Sequence, residues 1–254
     1  MPPGSNDTTM LTFVDKKREE LRALVDGLDP DGPSRILLLG RSTARLTGRV
    51  GVLPGSFNPP TNAHIALAQS GRDAGLSSIL YLLSKRTINK ESVSGINLAD
   101  RLALLDQIAR PVGDRVALTN CGLYVDQARG LRAVLPATTR IVFLVGFDKI
   151  VQILDARYYE DRNAALDTLF SIASFMVAPR DSAGPDDLTH LLENPVNRRF
   201  VDKVTPIALA PENRVLSSTR VRRGESSDVP PVVRDFIARW RPFDESGTYA
   251  ARSA

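Results

Sequence analysis

The chain has 254 residues, 43% hydrophobic and 24% charged, with a formal net charge of +4. That composition belongs to a globular protein able to bury one large core, and no apolar run is long enough to span a bilayer. A single cysteine, Cys121, excludes an internal disulfide and a cysteine-rich metal site. The basic residues are scattered apart from Arg220 to Arg223, so no basic face interleaved with aromatics is offered to nucleic acid. The opening Met1-Pro-Pro-Gly-Ser-Asn lacks the basic and apolar regions of a signal peptide. A cytoplasmic chain with a small anionic ligand, and neither membrane nor nucleic acid as partner, is expected.

Residues 1–9 are polar, with Pro and Gly, and read as a disordered terminus. From about Leu11 to Leu28, Phe13, Leu21, Leu24, Val25 and Leu28 recur at helical spacing around the charged run Asp15 to Glu20, predicting one amphipathic helix. Asp29 to Ser34 breaks it, and Arg35-Ile-Leu-Leu-Leu-Gly40 reads as a buried strand. Gly40-Arg41-Ser42-Thr43 has neither the Gly-Lys-Ser/Thr ending of a phosphate loop nor the glycine spacing of a dinucleotide fingerprint.

Val50 to Leu53 is a short apolar run of the buried-strand kind. Pro54, Gly55, Pro59 and Pro60 end it, and Ile65 to Ala68 restart regular structure with helix formers. A turn between a strand's carboxyl end and a helix's amino end leaves backbone N–H groups unpaired where the helix dipole favours an anion. Thr61 and His64 are three apart, which puts both on one face of the first helical turn, toward that anion. Gly55 lets backbone approach a ligand closely, and Pro59 and Pro60 stiffen the turn.

A helix to about Asp73, a strand at Ser78 to Ser84 and a polar segment, Lys85 to Gly95, follow. A helix is expected at Leu98 to Arg110 with Asn97 or Asp100 near its start. Val116 to Thr119 is a strand, Asp126 to Leu135 a helix, and Arg140-Ile-Val-Phe-Leu-Val-Gly146 the most strand-like run of all. A strand at Ser174 to Val177, a helix at Asp186 to Glu193, a strand at Thr205 to Ala210 and a helix at Pro230 to Trp240 complete the order. Strands alternate with helices and no repeat period is visible. The fold class is therefore α/β, an open parallel sheet with helices on both faces and ligands at the strands' carboxyl ends.

Three further stretches carry chemistry. Asp148 in Gly146-Phe147-Asp148 follows a strand, where a carboxylate accepts from ribose hydroxyls, although it could equally cap the next helix. Leu216-Ser217-Ser218-Thr219-Arg220-Val221-Arg222-Arg223 offers hydroxyls, free N–H groups and guanidinium forks to a polyphosphate. In the segment after the second strand, Lys85, Arg86, Asn89 and Lys90 could reach an acceptor's phosphate, with Arg101 reaching inward from the next helix; Lys90 is the first choice. His190 lies in a polar stretch and reads as a surface residue.

The pattern Gly55-x-Phe57-x-Pro59-x-Thr61-x-x-His64 and the later Leu216-Ser-Ser-Thr-x-x-Arg222 resemble the two signatures of the nucleotidyltransferase superfamily that contains nicotinamide and nicotinate mononucleotide adenylyltransferases and pantetheine-phosphate adenylyltransferases. Gly146-Phe147-Asp148 with Tyr158-Tyr159 is similar to its nicotinamide-nucleotide branch. The likeness runs from Arg49 to Arg223, with Ala63 where the family has glycine. It implies a Rossmann-like nucleotidyltransferase fold and transfer of AMP from ATP to the 5′-phosphate of a pyridine mononucleotide, releasing pyrophosphate. His64, Thr61 and Arg222 would be catalytic. ATP would be held by Gly55, Ser56, Phe57, His64, Gly146, Asp148, Ser217, Ser218, Thr219 and Arg222, and the acceptor by Asn89, Lys90 and Arg101. Mg²⁺ would arrive on the ATP phosphates, since no His, Cys or acidic cluster forms a metal site. The domain would span 49–242, preceded by an extension at 10–48 and followed by a tail at 243–254. Phosphopantetheine as acceptor is one alternative, suggested by Thr61-Asn62. A nucleotide-binding regulator without turnover is another, motivated by Ala63. Homo-oligomerisation and the amide or acid form of the pyridine stay open.

Overall fold

The structure, a computed structural model, describes residues 17–40, 46–86, 95–179, 183–244 and 249. Helix α1 (17–26) leads to β1 (Ile36–Leu38), β2 (Arg49–Gly55), α2 (Asn62–Asp73), β3 (Ser78–Ser84), α3 (Leu98–Ala109) and β4 (Arg115–Thr119). There follow α4 (Tyr124–Val134), β5 (Arg140–Gly146), α5 (Phe147–Leu154), α6 (Arg162–Ile172), β6 (Ala173–Ala178), α7 (Pro185–Glu193), β7 (Val204–Pro206), α8 (Pro211–Arg214), α9 (Ser218–Arg222) and α10 (Pro231–Trp240). One sheet of seven strands runs β1-β4-β3-β2-β5-β6-β7, with every pairing parallel except β1 with β4.

The central strands are apolar on both sides because both faces are covered. Val50 and Val52 of β2, Leu80 and Leu82 of β3, and Ile141, Phe143 and Val145 of β5 pack on the face of α4 and α6. The alternate residues Leu53, Ile79, Tyr81, Leu83, Val142 and Leu144 pack on the face of α2 and α3. A third cluster joins Leu104 of α3, Val221 of α9 and Val233 of α10, and it is this cluster that holds the late signature against the body of the molecule.

The expected fold class holds, and α3 starts where the cap was read: the Asn97 side chain accepts from the Asp100 N–H. Four details differ. The buried strand expected at Arg35 to Gly40 is a three-residue antiparallel edge strand, only one residue of which is buried. β7 ends at Pro206 rather than Ala210, since a residue without an N–H suits only an edge strand. The strand at Ser174 to Val177 is longer by a residue at each end. Helices α5 and α6 were not foreseen, although Ile150, Ile153, Leu154, Leu166, Leu169 and Phe170 recur at helical spacing and are all buried. Among the described residues no helix is long and apolar enough to cross a membrane.

From β2 the chain moves through β3 to β4 on one side, and from β5 through β6 to β7 on the other. The order therefore reverses between β2 and β5, at whose carboxyl ends a crevice must open.

Candidate active site

The loop from β2 to α2 enters that crevice, and its backbone is held in an uncommon shape. Phe57 has φ +46°, a left-handed conformation that a bulky side chain avoids. Its ring is fully buried, tilted against His64 at 4.9 Å and edge-on to Tyr81 at 6.0 Å. A Cβ on Gly55 would lie 2.9 Å from that ring, so glycine is the residue that lets the strand end and the ring coexist. The Asn58–Pro59 peptide is cis. Asn58 is buried, and its Oδ1 accepts from the Ile96 N–H at 3.0 Å.

Three carbonyls of this loop are capped from outside it. Ser56 O accepts from Arg101 Nη1 of α3 at 3.1 Å, Asn58 O from Arg222 Nη1 of α9 at 2.7 Å, and Pro59 O from Ser218 Oγ of α9 at 2.7 Å. Asn62 Nδ2, at the start of α2, also donates to Asp228 at 3.0 Å. The two signatures, some 160 residues apart in sequence, thus form one structure.

Thr61 caps α2, and its backbone N–H donates to His64 Nδ1 at 3.0 Å. A nitrogen that accepts carries no proton, so the imidazole proton sits on Nε2. The Thr61 hydroxyl lies 2.8 Å from the same Nδ1. Thr61 is 1% exposed and its hydroxyl is turned to the His64 ring, so the expectation that it faces an anion alongside His64 is corrected in its geometry.

Arg222 stands close enough to Arg101 to perturb it. Burial, opposed by Tyr249 and reinforced by Arg222, pushes Arg101 down to about 10. Burial and then Arg223 lower Arg222 as well. Neither makes an ion pair among the described residues, so two partly desolvated cations flank the loop without a counter-charge, the arrangement an anion would relieve. Arg101, expected among acceptor contacts, has its guanidinium donating to the Ser56 and Ile96 carbonyls, beside the loop from β2 to α2. Asn89 and Lys90 lie outside the described residues.

In α9, Ser217 is the cap, its Oγ accepting from the Arg220 N–H at 3.3 Å. Thr219 is exposed, and its Oγ1 accepts from Arg222 Nη2 at 3.1 Å. Across the crevice, Gly146 ends β5 and a Cβ there would meet nothing within 4 Å. Asp148 is exposed in the first turn of α5. Gly146 thus lies at the strand's carboxyl end, and Asp148 two residues on, inside the helix that follows.

Beside the loop opens a cleft of about 160 Å³, open to solvent on one side. It runs from Gly55 and Ser56 past Arg86 to Tyr124 and Gln127 of α4, Lys149 of α5, and Tyr158 and Tyr159. Burial pushes the Tyr159 phenol up to about 12, and its hydroxyl donates to Ile153 O at 2.7 Å. Burial also pushes Tyr124 up, so both phenols stay protonated near neutrality. Tyr124 and Gln127 were missed as site residues. The available signal was their spacing of three at the start of a helix that follows a strand's carboxyl end.

Residues 52–224 match the model of the cytidylyltransferase-like family. A Schizosaccharomyces pombe protein assigned as a nicotinamide mononucleotide adenylyltransferase is 30% identical over 149 residues, which is 56% of this chain and 58% of that one. The chain thus spans a little over half of that relative's length. A Neisseria meningitidis protein assigned as a nicotinate-nucleotide adenylyltransferase is 24% identical over 198 residues, 74% of this chain and 95% of its own. The structure of Plasmodium falciparum nicotinic acid mononucleotide adenylyltransferase complexed with NaAD superposes with a TM-score of 0.57 at 16% identity, over 77% of this chain and 97% of that one, a likeness of fold.

Proposed function

We propose that this chain, which belongs to the cytidylyltransferase-like family, transfers the adenylyl group of ATP to the 5′-phosphate of a nicotinamide or nicotinate mononucleotide. The observation that carries the reading is the joining of Ser218 and Arg222 to the Asn58–Pro59 carbonyls, which puts a cationic helix start beside His64 at the crevice between β2 and β5. The names of the S. pombe and N. meningitidis relatives support the substrate class.

In this reading a phosphate oxygen of the acceptor attacks the α-phosphorus of ATP, and the bond to the β-phosphate breaks in line with the attack. Pyrophosphate leaves with the bonding electrons. The attacking phosphate is already ionised near neutral pH, so the protein supplies position and charge rather than a base. His64 donates from Nε2 to the α-phosphate, a direction fixed by the Thr61 N–H at Nδ1. Arg222, Thr219 and Arg101 meet the charge that gathers on the departing pyrophosphate, with Ser218 offering its backbone N–H because its hydroxyl donates to Pro59 O. Asp148 takes the ribose hydroxyls of ATP, with Gly146 leaving room beside it.

The cleft beside the loop takes the pyridine nucleotide, its aromatic walls Tyr124, Tyr158 and Tyr159 facing the ring. Asn89 and Lys90 are assigned to the acceptor's phosphate. Among the described residues no three His, Cys, Asp or Glu side chains gather to hold a cation. Mg²⁺ would enter on the ATP phosphates and supply charge neutralisation there.

Pyrophosphate release with ATP, Mg²⁺ and each mononucleotide tests this reading. Release with either pyridine mononucleotide, but not with phosphopantetheine, is expected. Release with phosphopantetheine alone would reassign the cleft.

A further inference from the structure

The adenylyl-transfer reading, on which this inference rests, leaves open whether the pyridine carries an amide or an acid. Gln127 lines the cleft and is 3% exposed. Its Nε2 donates to the Cys121 carbonyl at 3.2 Å. A carbonyl oxygen can only accept, so this bond fixes which end of the amide is nitrogen. The other end, Oε1, is buried with no hydrogen-bond partner among the described residues. A buried acceptor without a donor is costly, and native proteins rarely leave one without a reason.

Tyr124 lies three residues earlier on the same helix and lines the same cleft. Its ring is fixed edge-on to Phe143 at 5.1 Å and tilted to Phe175 at 6.1 Å, and its hydroxyl has no hydrogen-bond partner among the described residues. One helix face therefore carries a group that can only accept beside one that can donate.

We propose that Gln127 and Tyr124 select the carboxamide form of the acceptor, nicotinamide mononucleotide over nicotinate mononucleotide. A carboxamide matches the pair: its NH₂ donates to Gln127 Oε1 and its C=O accepts from the Tyr124 hydroxyl. A carboxylate has acceptors only, so the Tyr124 bond survives while Gln127 Oε1 meets a second acceptor. Two cations also line the cleft, and these would favour the acid. Arg86 is 56% exposed in its side chain and paired with Asp31 at 3.4 Å, however, while Lys149 is exposed and donates to Gln152 Oε1 at 2.6 Å. Both suit the phosphate of a mononucleotide at the rim better than a ring substituent in the interior.

The test compares kcat/KM for the two mononucleotides with ATP and Mg²⁺, by pyrophosphate release from the full chain. Wild type is expected to favour the amide by about tenfold or more. Gln127→Leu should bring the two within about threefold, chiefly by loss on the amide. Tyr124→Phe should lower both alike. Thermal unfolding checks each variant, and Gln127→Met replaces Gln127→Leu if the latter does not fold. A wild type that prefers the acid, or a ratio unmoved in the Gln127 variants, overturns the selection while turnover itself keeps adenylyl transfer standing. Turnover of neither mononucleotide overturns both.

Discussion

The phosphate turn and the neighbouring cleft share the residues Gly55 and Ser56, yet they are built on opposite terms. On the turn side the protein satisfies itself: Ser56, Asn58 and Pro59 carbonyls each have a donor from another helix, and His64 Nδ1 has the Thr61 N–H. What is left uncompensated there is charge, in Arg101 and Arg222. On the cleft side the charges lie at the rim and the uncompensated groups are neutral, Gln127 Oε1 and the Tyr124 hydroxyl. A preorganised loop with spare positive charge suits a reacting polyphosphate. A cleft with spare neutral hydrogen-bonding groups and aromatic walls suits recognition of a flat ring.

The largest expected effect separates chemistry from structure on the turn side. If His64 donates to transition-state charge as proposed, His64→Ala should lower kcat by ~10²–10³. His64 also accepts from the buried Thr61 N–H, so the melting temperature should fall by a few degrees while circular dichroism shows the fold intact. Normal turnover in that variant would take His64 out of the mechanism.

Arg222→Ala should damage both properties. It strips a charge from the proposed polyphosphate site and removes the Arg222 hydrogen bond to the Asn58 carbonyl, a loss of about 1–3 kcal/mol in stability. Turnover should fall by about 10–100-fold, together with the melting temperature. If activity falls and stability does not, the bond from α9 to the turn is not what holds the two signatures together.

The same contrast explains which parts were legible in the sequence. The turn was readable because Gly55, Phe57, Thr61 and His64 fall in one short stretch, and the late signature because Ser217 to Arg222 fall in another. Their contact was not readable, since no local pattern says that Ser218 and Arg222 will donate to carbonyls 159 and 164 residues away. Arg101 was assigned to the acceptor because it follows the segment at Lys85 to Gly95, but α3 crosses behind the turn and carries it to Ser56. The cleft was the least legible part. Its wall is assembled from the ends of β2 and β3, the start of α4, and α5 with the stretch after it, and α5 itself was not foreseen.

A smaller effect comes from pH. Arg101 in the folded protein loses its proton at about 10, against 12.5 for an ordinary guanidinium. Between those values the unfolded chain holds more protons than the folded one, so the stability contributed by this group rises as pH rises through the window. Anion binding should move the other way. The rise in melting temperature produced by ATP should shrink as pH passes about 10, and Arg101→Gln should flatten that trend. A trend identical in wild type and variant would mean that another group titrates.

The smallest effect is the sharpest test of how the turn works. If Thr61 touched the anion directly, Thr61→Val would remove a donor at the reacting phosphate and cost nearly as much as His64→Ala. In the structure its hydroxyl lies against His64 Nδ1 at 2.8 Å, and the backbone N–H of the same residue already reaches that nitrogen at 3.0 Å. Valine keeps the N–H, and with it the tautomer that places the proton on Nε2. The variant should lose about 0.5–1.5 kcal/mol of stability with the hydrogen bond, and its kcat should stay within about threefold of wild type. Pyrophosphate release and a melting curve on one preparation decide it: loss confined to stability makes Thr61 a positioning residue, and a hundredfold loss of kcat would return it to direct contact with the phosphate.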